Sequence, residues 1–440
     1  MSLIQSSKDS SSRERAATNV HAFSFITATV VLLIPSFSGV ASAQPQPDEL
    51  EFGDTLTIES LTSAVRSRSP RLAAAVAAAD AASHRLEYSG ALDDPVLSYV
   101  VAPNSSDNNI DFSQRLPWPG TRDAREAVAD RDFAAAEWGV ASEQLMLDTA
   151  VKSAFADWQF VGQALQIHAS SVVRYDQIVA AAESQYSAGQ SSRQDVLQAE
   201  VERADLEMHR LQLHREQLVA LARINALLDR SPESPVPPAA PIRVYPLSDD
   251  ESELAGLALR QHPELRRLQV LVARAESQEV LTEKEFSPAF QIRAGYNTLW
   301  DETDKRTVFG VSINVPIGRA KRGAALESAS AESRRAAGVL ADARASVLAE
   351  TAQAFARVSE AIGIIRLHED ELIPLASELR DAALADYRSG TGAFLNVITA
   401  ERRLLEAELD FERARAEYIR RVAALERWTG GVLNSSEGGL

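Results

Sequence analysis

The sequence predicts a mostly α-helical chain with a small β part, built as two internal repeats behind an export signal. Three observations carry this. Two stretches of helical periodicity are far longer than a globular helix, two regions of strict alternation read as β-hairpins, and one motif recurs at a constant offset. Tyr186-Ser187-Ala188-Gly189 with Asp195-Val196-Leu197-Gln198-Ala199-Glu200 matches Tyr387-Arg388-Ser389-Gly390 with Asn396-Val397-Ile398-Thr399-Ala400-Glu401. Each pair is 201 residues apart, a register that two merely alanine-rich helices would not keep.

The first 43 residues stand apart. Arg13 and Arg15 precede an apolar run from Phe23 to Ile34, and small residues end it at Ala41-Ser42-Ala43. That is a secretory signal, cleaved after Ala43. The run is too short for a membrane span, and Pro35 and Gly39 interrupt it. There are no cysteines, so disulfides and an N-terminal lipid anchor are both excluded. No later apolar run reaches the roughly 18 residues a membrane helix needs, so insertion in a bilayer has to use β-strands. The net charge of −17 argues against a nucleic-acid partner.

Repeat 1 spans 44–230 and repeat 2 spans 248–430, with a proline-rich linker at 231–247 and a flexible tail at 431–440. Each repeat opens with an alanine-rich helical stretch broken by a proline. These stretches run from about Thr57 to Leu92 with the break at Pro70, and from Glu251 to Glu285 with the break at Pro263. The hairpins follow at about 96–117 and 290–317. In the second, Phe290, Ile292, Ala294 and Tyr296 alternate with Gln291, Arg293, Gly295 and Asn297. Phe309, Val311, Ile313, Val315 and Ile317 then alternate with polar or small residues. In the first, Leu97, Tyr99 and Val101, then Ile110, Phe112 and Leu116, oppose Asp111, Ser113 and Arg115. One apolar face and one polar face suit a barrel strand between lipid and water, although a half-buried strand of a soluble sheet has the same period. Trp118, Tyr296 and Trp300 sit where an interfacial aromatic girdle is expected.

Long helices are expected over about 121–186 and 319–387, each roughly 100 Å at ~1.5 Å per residue. Pro374 should kink the second or mark an irregularity. Gly189 and Gly390 turn the chain into return helices over about 193–228 and 394–428. On the first return helix, Leu197, Val201, Ala204, Met208, Leu211 and Leu218 form a coiled-coil seam. Four strands cannot close a water-filled barrel, and lipid forbids open edges, so the chain must oligomerise; three copies supply twelve strands.

The order helix, hairpin, very long helix, glycine turn and return helix, written twice with the Tyr-x-x-Gly motif, resembles the TolC family of outer-membrane efflux channels. Gln114-Arg115-Leu116-Pro117-Trp118-Pro119-Gly120 is similar to its heavy-metal branch, the partners of cobalt-zinc-cadmium exporters. The resemblance implies a homotrimer with a twelve-stranded β-barrel in the outer membrane and an α-helical barrel of long coiled helices in the periplasm. It also implies a periplasmic adaptor (membrane fusion protein) and an inner-membrane pump of the resistance-nodulation-division type. Heavy-metal cations are the implied cargo, with drugs or organic toxins as the alternative; a periplasmic adaptor or coiled-coil scaffold is the competing class. By the same resemblance, Gly189, Gln190, Ser191, Gly390, Thr391 and Gly392 form the adaptor-docking tip. Asp195, Tyr387, Asn396 and Thr399 form the gate, with Tyr387 and Asp195 as a lock. Asn396, Thr399 and Gly392 replace charged gate residues of drug-exporting relatives.

No catalytic site, cofactor site or metal site is expected. Asp195, Glu200 and Glu401 have no pocket or nucleophile motif beside them. His84, His168, His209, His214, His262 and His368 are scattered and read as solvated surface residues rather than ligands.

Overall fold

The computed structural model describes residues 52–101, 108–247, 250–298, 303, 306–431 and 433. The signal at 1–43, Trp300 and most of the 431–440 tail lie outside the described residues. The elements are α1 (Ile58–Arg68), α2 (Pro70–Ser89), β1 (Val96–Val101), β2 (Asn108–Leu116), α3 (Thr121–Ser187), α4 (Arg193–Leu227), α5 (Glu251–Gln261), α6 (Pro263–Glu285), β3 (Ala289–Asn297), β4 (Thr307–Asn314), α7 (Arg319–Leu367), a π-helical turn (His368–Leu372), α8 (Ile373–Arg388) and α9 (Phe394–Thr429). The chain is mostly helical with a small four-stranded β part.

Local chemistry explains the short helices. Thr57 caps α1 in a reciprocal box with Ser60, and Asp250 caps α5 in the same way with Glu253. Pro70 and Pro263 then occupy first-turn positions of α2 and α6, where a missing N–H costs nothing. A proline inside the helical pattern therefore restarts the helix after one residue, Ser69 or His262, that leaves the helical conformation.

The sheet has the order β1-β2-β3-β4, antiparallel throughout. The register puts Leu97, Tyr99, Ile110, Phe112, Ile292, Tyr296, Phe309, Val311 and Ile313 on one face, all exposed. Asn109, Asp111, Ser113, Arg115, Gln291 and Arg293 line the other. There Asp111 is nearly buried, taking a bidentate bond from Arg293 (2.8 and 2.6 Å) and one from Asn109 (2.6 Å). Strand β4 stops at Asn314, so Val315 and Ile317 lie beyond the ladder and are exposed, shorter than the alternation suggested.

The main core surrounds the middle of α3. It joins Leu61 and Val65 of α1, Val151 and Phe155 of α3, Val358 and Ile365 of α7, and Tyr418, Val422 and Leu425 of α9. The proline-rich segment is extended as expected, but it is strapped across this core. Leu56 and Ala239 form a parallel bridge, Trp158 Nε1 donates to Pro237 O at 2.9 Å, and the Tyr418 hydroxyl donates to Tyr245 O at 3.0 Å. With its prolines lacking amide donors, the segment offers mainly carbonyls that helix side chains satisfy.

The irregularity expected at Pro374 is present, and two further expectations need correction. In the second long helix a π turn over His368–Leu372 lies between α7 and α8, and Ile373 N–H reaches back to His368 O. Pro374 is the cause, because its ring collides with the carbonyl four residues back and it has no N–H; one extra residue in the turn removes the conflict. The α4 residues read as a coiled-coil seam face outward, with Leu197, Val201, Met208, Leu211 and Leu218 about half exposed or more. The α4 residues that pack inward are Ala199, Glu202, Leu206, Ala220, Ile224 and Asn225. Nor are all histidines solvated. His168 is buried against Leu206 O (2.7 Å), and His262 is buried and stacked on Trp428 at 5.9 Å. Burial holds the His262 imidazole below its ordinary value.

Lys152 of α3 and Glu426 of α9 form a buried ion pair at 2.6 Å. Burial pushes the Glu426 carboxyl up, and Lys152 opposes the shift. Glu426→Ala, which strands the lysine charge, is expected to cost about 3–5 kcal/mol and to lower Tm in thermal unfolding, while Lys152→Met with Glu426→Leu restores most of it. An unchanged Tm in the single variant contradicts the assignment. For His262 the folded pKa lies below the unfolded one, so its contribution is present above the ordinary imidazole range and is lost as pH falls through it. His262→Phe should make Tm less sensitive to pH between about 7 and 5, in the window set by the ordinary imidazole pKa of about 6.5.

Candidate functional site

At the end of the helices far from the sheet, α3 turns into α4 and α8 into α9. The two turns have one geometry. Gly189 (φ 71°) and Gly390 (φ 79°) take left-handed backbone, and Gln190 N–H and Thr391 N–H bond back to Gln185 O (2.9 Å) and Asp386 O (3.0 Å). Both are Schellman C-caps, which need a residue without a Cβ penalty at this point. Gln185 Nε2 donates to Arg388 O at 2.7 Å and ties the two turns together.

Of the six expected docking residues, Gly189, Gln190, Gly390 and Thr391 are exposed, while Ser191 and Gly392 are partly covered. Gly392 is sterically required. A Cβ there would lie 2.8 Å from Asp386 Cβ and 3.1 Å from the Asp386 carbonyl carbon, so the turn leaves no room for a side chain. The absence of an arginine at this position thus has a packing reason.

The four expected gate residues divide. Tyr387 is buried, edge-on to Phe394 at 5.3 Å, and its hydroxyl points at Asp195 Oδ2 across a long 3.4 Å. Burial, reinforced by Asp195, holds the phenol above its ordinary value, so it is a proton donor at neutral pH. Ser192 Oγ donates to the other Asp195 oxygen at 3.1 Å. Asn396 and Thr399 are exposed on α9, and Thr399 Oγ1 bonds its own helix at Leu395 O. Tyr387 and Asp195 are therefore together, while Asn396 and Thr399 stand exposed on α9.

The helices carrying these residues share a core of Tyr175, Ile178, Leu206, Leu384, Tyr387, Val397, Ile398 and Leu405. Helices α3 and α9 lie inside, α4 packs chiefly on α3, and α8 packs chiefly on α9. Beside that core is a charge cluster, centred on the fully buried Glu401, that motif reading missed. Arg174 of α3 donates to Glu401 (2.5 Å) and Glu408 (2.8 Å) of α9, and Arg402 of α9 pairs in two contacts with Glu202 of α4. Burial opposes the Arg174 charge, yet the two carboxylates more than offset it and hold the guanidinium above its ordinary value. Only the recurrence of Glu200 as Glu401 hinted at it. Glu200 is exposed while Glu401 is fully buried, so one motif position serves two environments.

Among the described residues no group of three or more histidine or carboxylate side chains is placed to hold a metal ion, and no helix is long and apolar enough to cross a membrane. Of the residues expected at the girdle, Trp118 stacks on Phe290 at 5.8 Å and Tyr296 is exposed on the apolar sheet face.

Residues 254–431 match the family described as outer membrane efflux protein. That stretch covers α6 to α9 and nearly all of α5. No curated protein matches the chain. Solved structures share its fold over most of its length. The outer-membrane channel OprN superposes with a TM-score of 0.72 at 20% identity, covering 85% of this chain and 90% of its own. The outer membrane protein VceC from Vibrio cholerae gives 0.71 at 19%, covering 85% and 96%. CusC, whose structures describe transmembrane channel formation, gives 0.72 at 17%, covering 88% and 97%. The chain has the fold of these channels.

Gly390→Ala is expected to cost about 1 kcal/mol through its left-handed backbone, and Gly392→Ala to loosen the last turn of α8. Tyr387→Phe should cost less, about 0.5 kcal/mol at most, the low end for a hydrogen bond, given its long bond. Amide hydrogen exchange at 384–394 reads the order: Gly392→Ala faster than wild type, Tyr387→Phe close to it. The reverse order would overturn the steric account of Gly392.

Proposed function

We propose that the protein is the passive outer-membrane exit duct of a tripartite efflux system. In this reading a homotrimer receives substrate at its tip from a periplasmic adaptor and an inner-membrane pump of the resistance-nodulation-division type. The observation that carries it is the sheet. Four strands present one largely apolar face, interrupted by Gln114, and one mostly polar face, and among the described residues β1 and β4 each have a free edge. They stand at one end of helices about 100 Å long, from ~1.5 Å per residue. The apolar face suits lipid, the Asp111–Arg293 face suits a water-filled lumen, and edges in lipid must pair.

The helices support the same assembly. The outward stripe of α4 (Leu197, Val201, Met208, Leu211, Leu218) and that of the π turn and α8 (Leu372, Leu375, Leu379) are exposed at the two outer edges of the α4-α3-α9-α8 layer. In a ring, the α4 edge of one protomer meets the α8 edge of the next, a heterologous contact that closes. The hairpins add up to a twelve-stranded barrel. The turns at Gly189–Ser191 and Gly390–Gly392 are then the adaptor-docking tip, Tyr387 with Asp195 the lock, and Asn396 and Thr399 uncharged pore residues. Trp118, Tyr296 and Trp300 mark the membrane interface. The signal ending at Ala43 directs export.

The duct itself carries out no chemistry in this reading. A periplasmic adaptor is disfavoured because its single helical hairpin would not carry a four-stranded amphipathic sheet. Heavy-metal cations are the proposed cargo, on the strength of Gln114–Gly120; drugs and organic toxins are the alternative.

The purified protein should run as a trimer in detergent, enter planar bilayers and conduct ions. Leu211→Glu with Leu218→Glu should give monomers by sedimentation, since two charges then face an apolar contact. A monomeric, water-soluble wild type sinks the duct. For the cargo, a deletion strain is challenged with zinc, cobalt, cadmium and copper beside hydrophobic drugs. Lost metal tolerance is expected; lost drug tolerance alone reverses the choice.

A further inference from the structure

Opening the tip of such a duct requires the α8/α9 coil to move relative to the α3/α4 coil. The ties between the coils therefore determine how readily it opens. Among the described residues, four side-chain ties cross that boundary near the tip: Tyr387 to Asp195, Arg402 to Glu202, Arg174 to Glu401 and Glu408, and Gln185 to the Arg388 carbonyl. The third is unusual in its burial and in its second neighbour.

Glu401 is fully buried. Its Oε1 accepts from Arg174, on the other coil, at 2.5 Å. Its Oε2 makes no hydrogen bond, although Arg380 Nε of α8, on its own coil, lies 4.0 Å away and is also unpartnered. Arg380 meanwhile contacts the exposed Asp381 at 3.0 Å. A buried carboxylate oxygen and a buried guanidinium N–H are thus held about one ångström short of a bond that each lacks, and leaving such groups unsatisfied is costly. Separating the coils by pulling Arg174 away would ordinarily strand the Glu401 charge in the core, which is prohibitive. With Arg380 beside it, a small shift within the α8/α9 coil gives the carboxylate a new partner as the old one leaves.

Resting on the duct reading, we propose that Glu401 is the pivot of a charge hand-over gate: Arg174 holds it while the coils are together, and Arg380 takes it when they part. Two alternative pairings of one buried charge make a bistable element, the kind of device that turns a small displacement at a docking surface into a discrete change of state. Tyr387–Asp195 and Arg402–Glu202 simply break on opening. Only Glu401 changes partner. Arg174 and Arg380 are accordingly positioning residues with opposite effects, one favouring the closed arrangement and the other the open one.

The opposite signs make the test. Full-length trimers of the wild type, Arg174→Gln, Arg380→Gln and the double variant are compared in planar bilayers, with Tm of the extracted trimer as the folding control. Both glutamines keep a donor near Glu401. Arg174→Gln should raise conductance by at least about fivefold, the low end of ordinary coupling between sites. Arg380→Gln should lower it below wild type, and in the double variant should cancel most of the gain. If both single variants shift conductance in the same direction, or neither shifts it while trimers form and insert, Glu401 is a structural ion pair and the hand-over is wrong. If the wild type itself fails to insert or conduct, the duct reading fails with it, an outcome visible before any variant is measured. A shift of Tm without a change in conductance also counts against the gate.

Discussion

Helices α3 and α9 run antiparallel through the middle of the molecule, and their seam holds buried and half-buried polar pairs at several levels. Lys152 meets Glu426, Gln159 meets Glu412 (3.3 Å), Asp157 meets Arg420 (2.5 Å), and Arg174 meets Glu401. Pairs of this kind add little net stability over an apolar seam, because desolvation offsets most of their attraction. Their effect is on register. Sliding one helix by a turn would leave several buried charges without partners. The seam joins the two repeats, so its register decides where everything attached to it falls.

Both ends of the molecule follow from that constraint. At one end it brings Tyr387 within reach of Asp195 and sets the two glycine turns side by side. At the other, α2 and α6 both pack on α3, so the two hairpins arrive together and β2 pairs with β3 across the repeat boundary. The proline-rich strap then crosses the core between them, held by helix side chains such as Trp158 and Tyr418. Shape and charge in this protein are therefore not separate matters. The same ion pairs that align the repeats include the one whose partner can change, and a seam locked by apolar packing alone would have no such second arrangement.

Much of the fold was legible in the residues. Alternation marked the strands because a sheet face repeats every two residues, whatever lies against it. Gly189 and Gly390 marked the helix reversals because left-handed backbone excludes most other residues. The errors also have physical causes. The α4 stripe was recognised as apolar, but helical spacing says only that a face exists, not which neighbour covers it; the inward positions are smaller or polar. Pro374 signalled an irregularity without saying whether it would be a kink or a π turn. His168 and His262 read as surface residues because one acceptor carbonyl and one indole ring, both distant in sequence, make their burial possible.

The candidate site was legible to a lesser degree. The tip turns came from a repeated motif and the Tyr387–Asp195 pair from the family resemblance, whereas Arg174, Arg380, Glu202 and Arg402 belong to no motif and look like ordinary solvated charges on long helices. By itself the sequence determined the local states of this protein: where helices start, where they reverse, and which strands have two faces. These depend on backbone sterics and on side chains a few residues apart. Which charges are buried, who their partners are and which face is left uncovered were decided only by the tertiary structure, because those energies depend on groups about two hundred residues distant and on water removed by their approach.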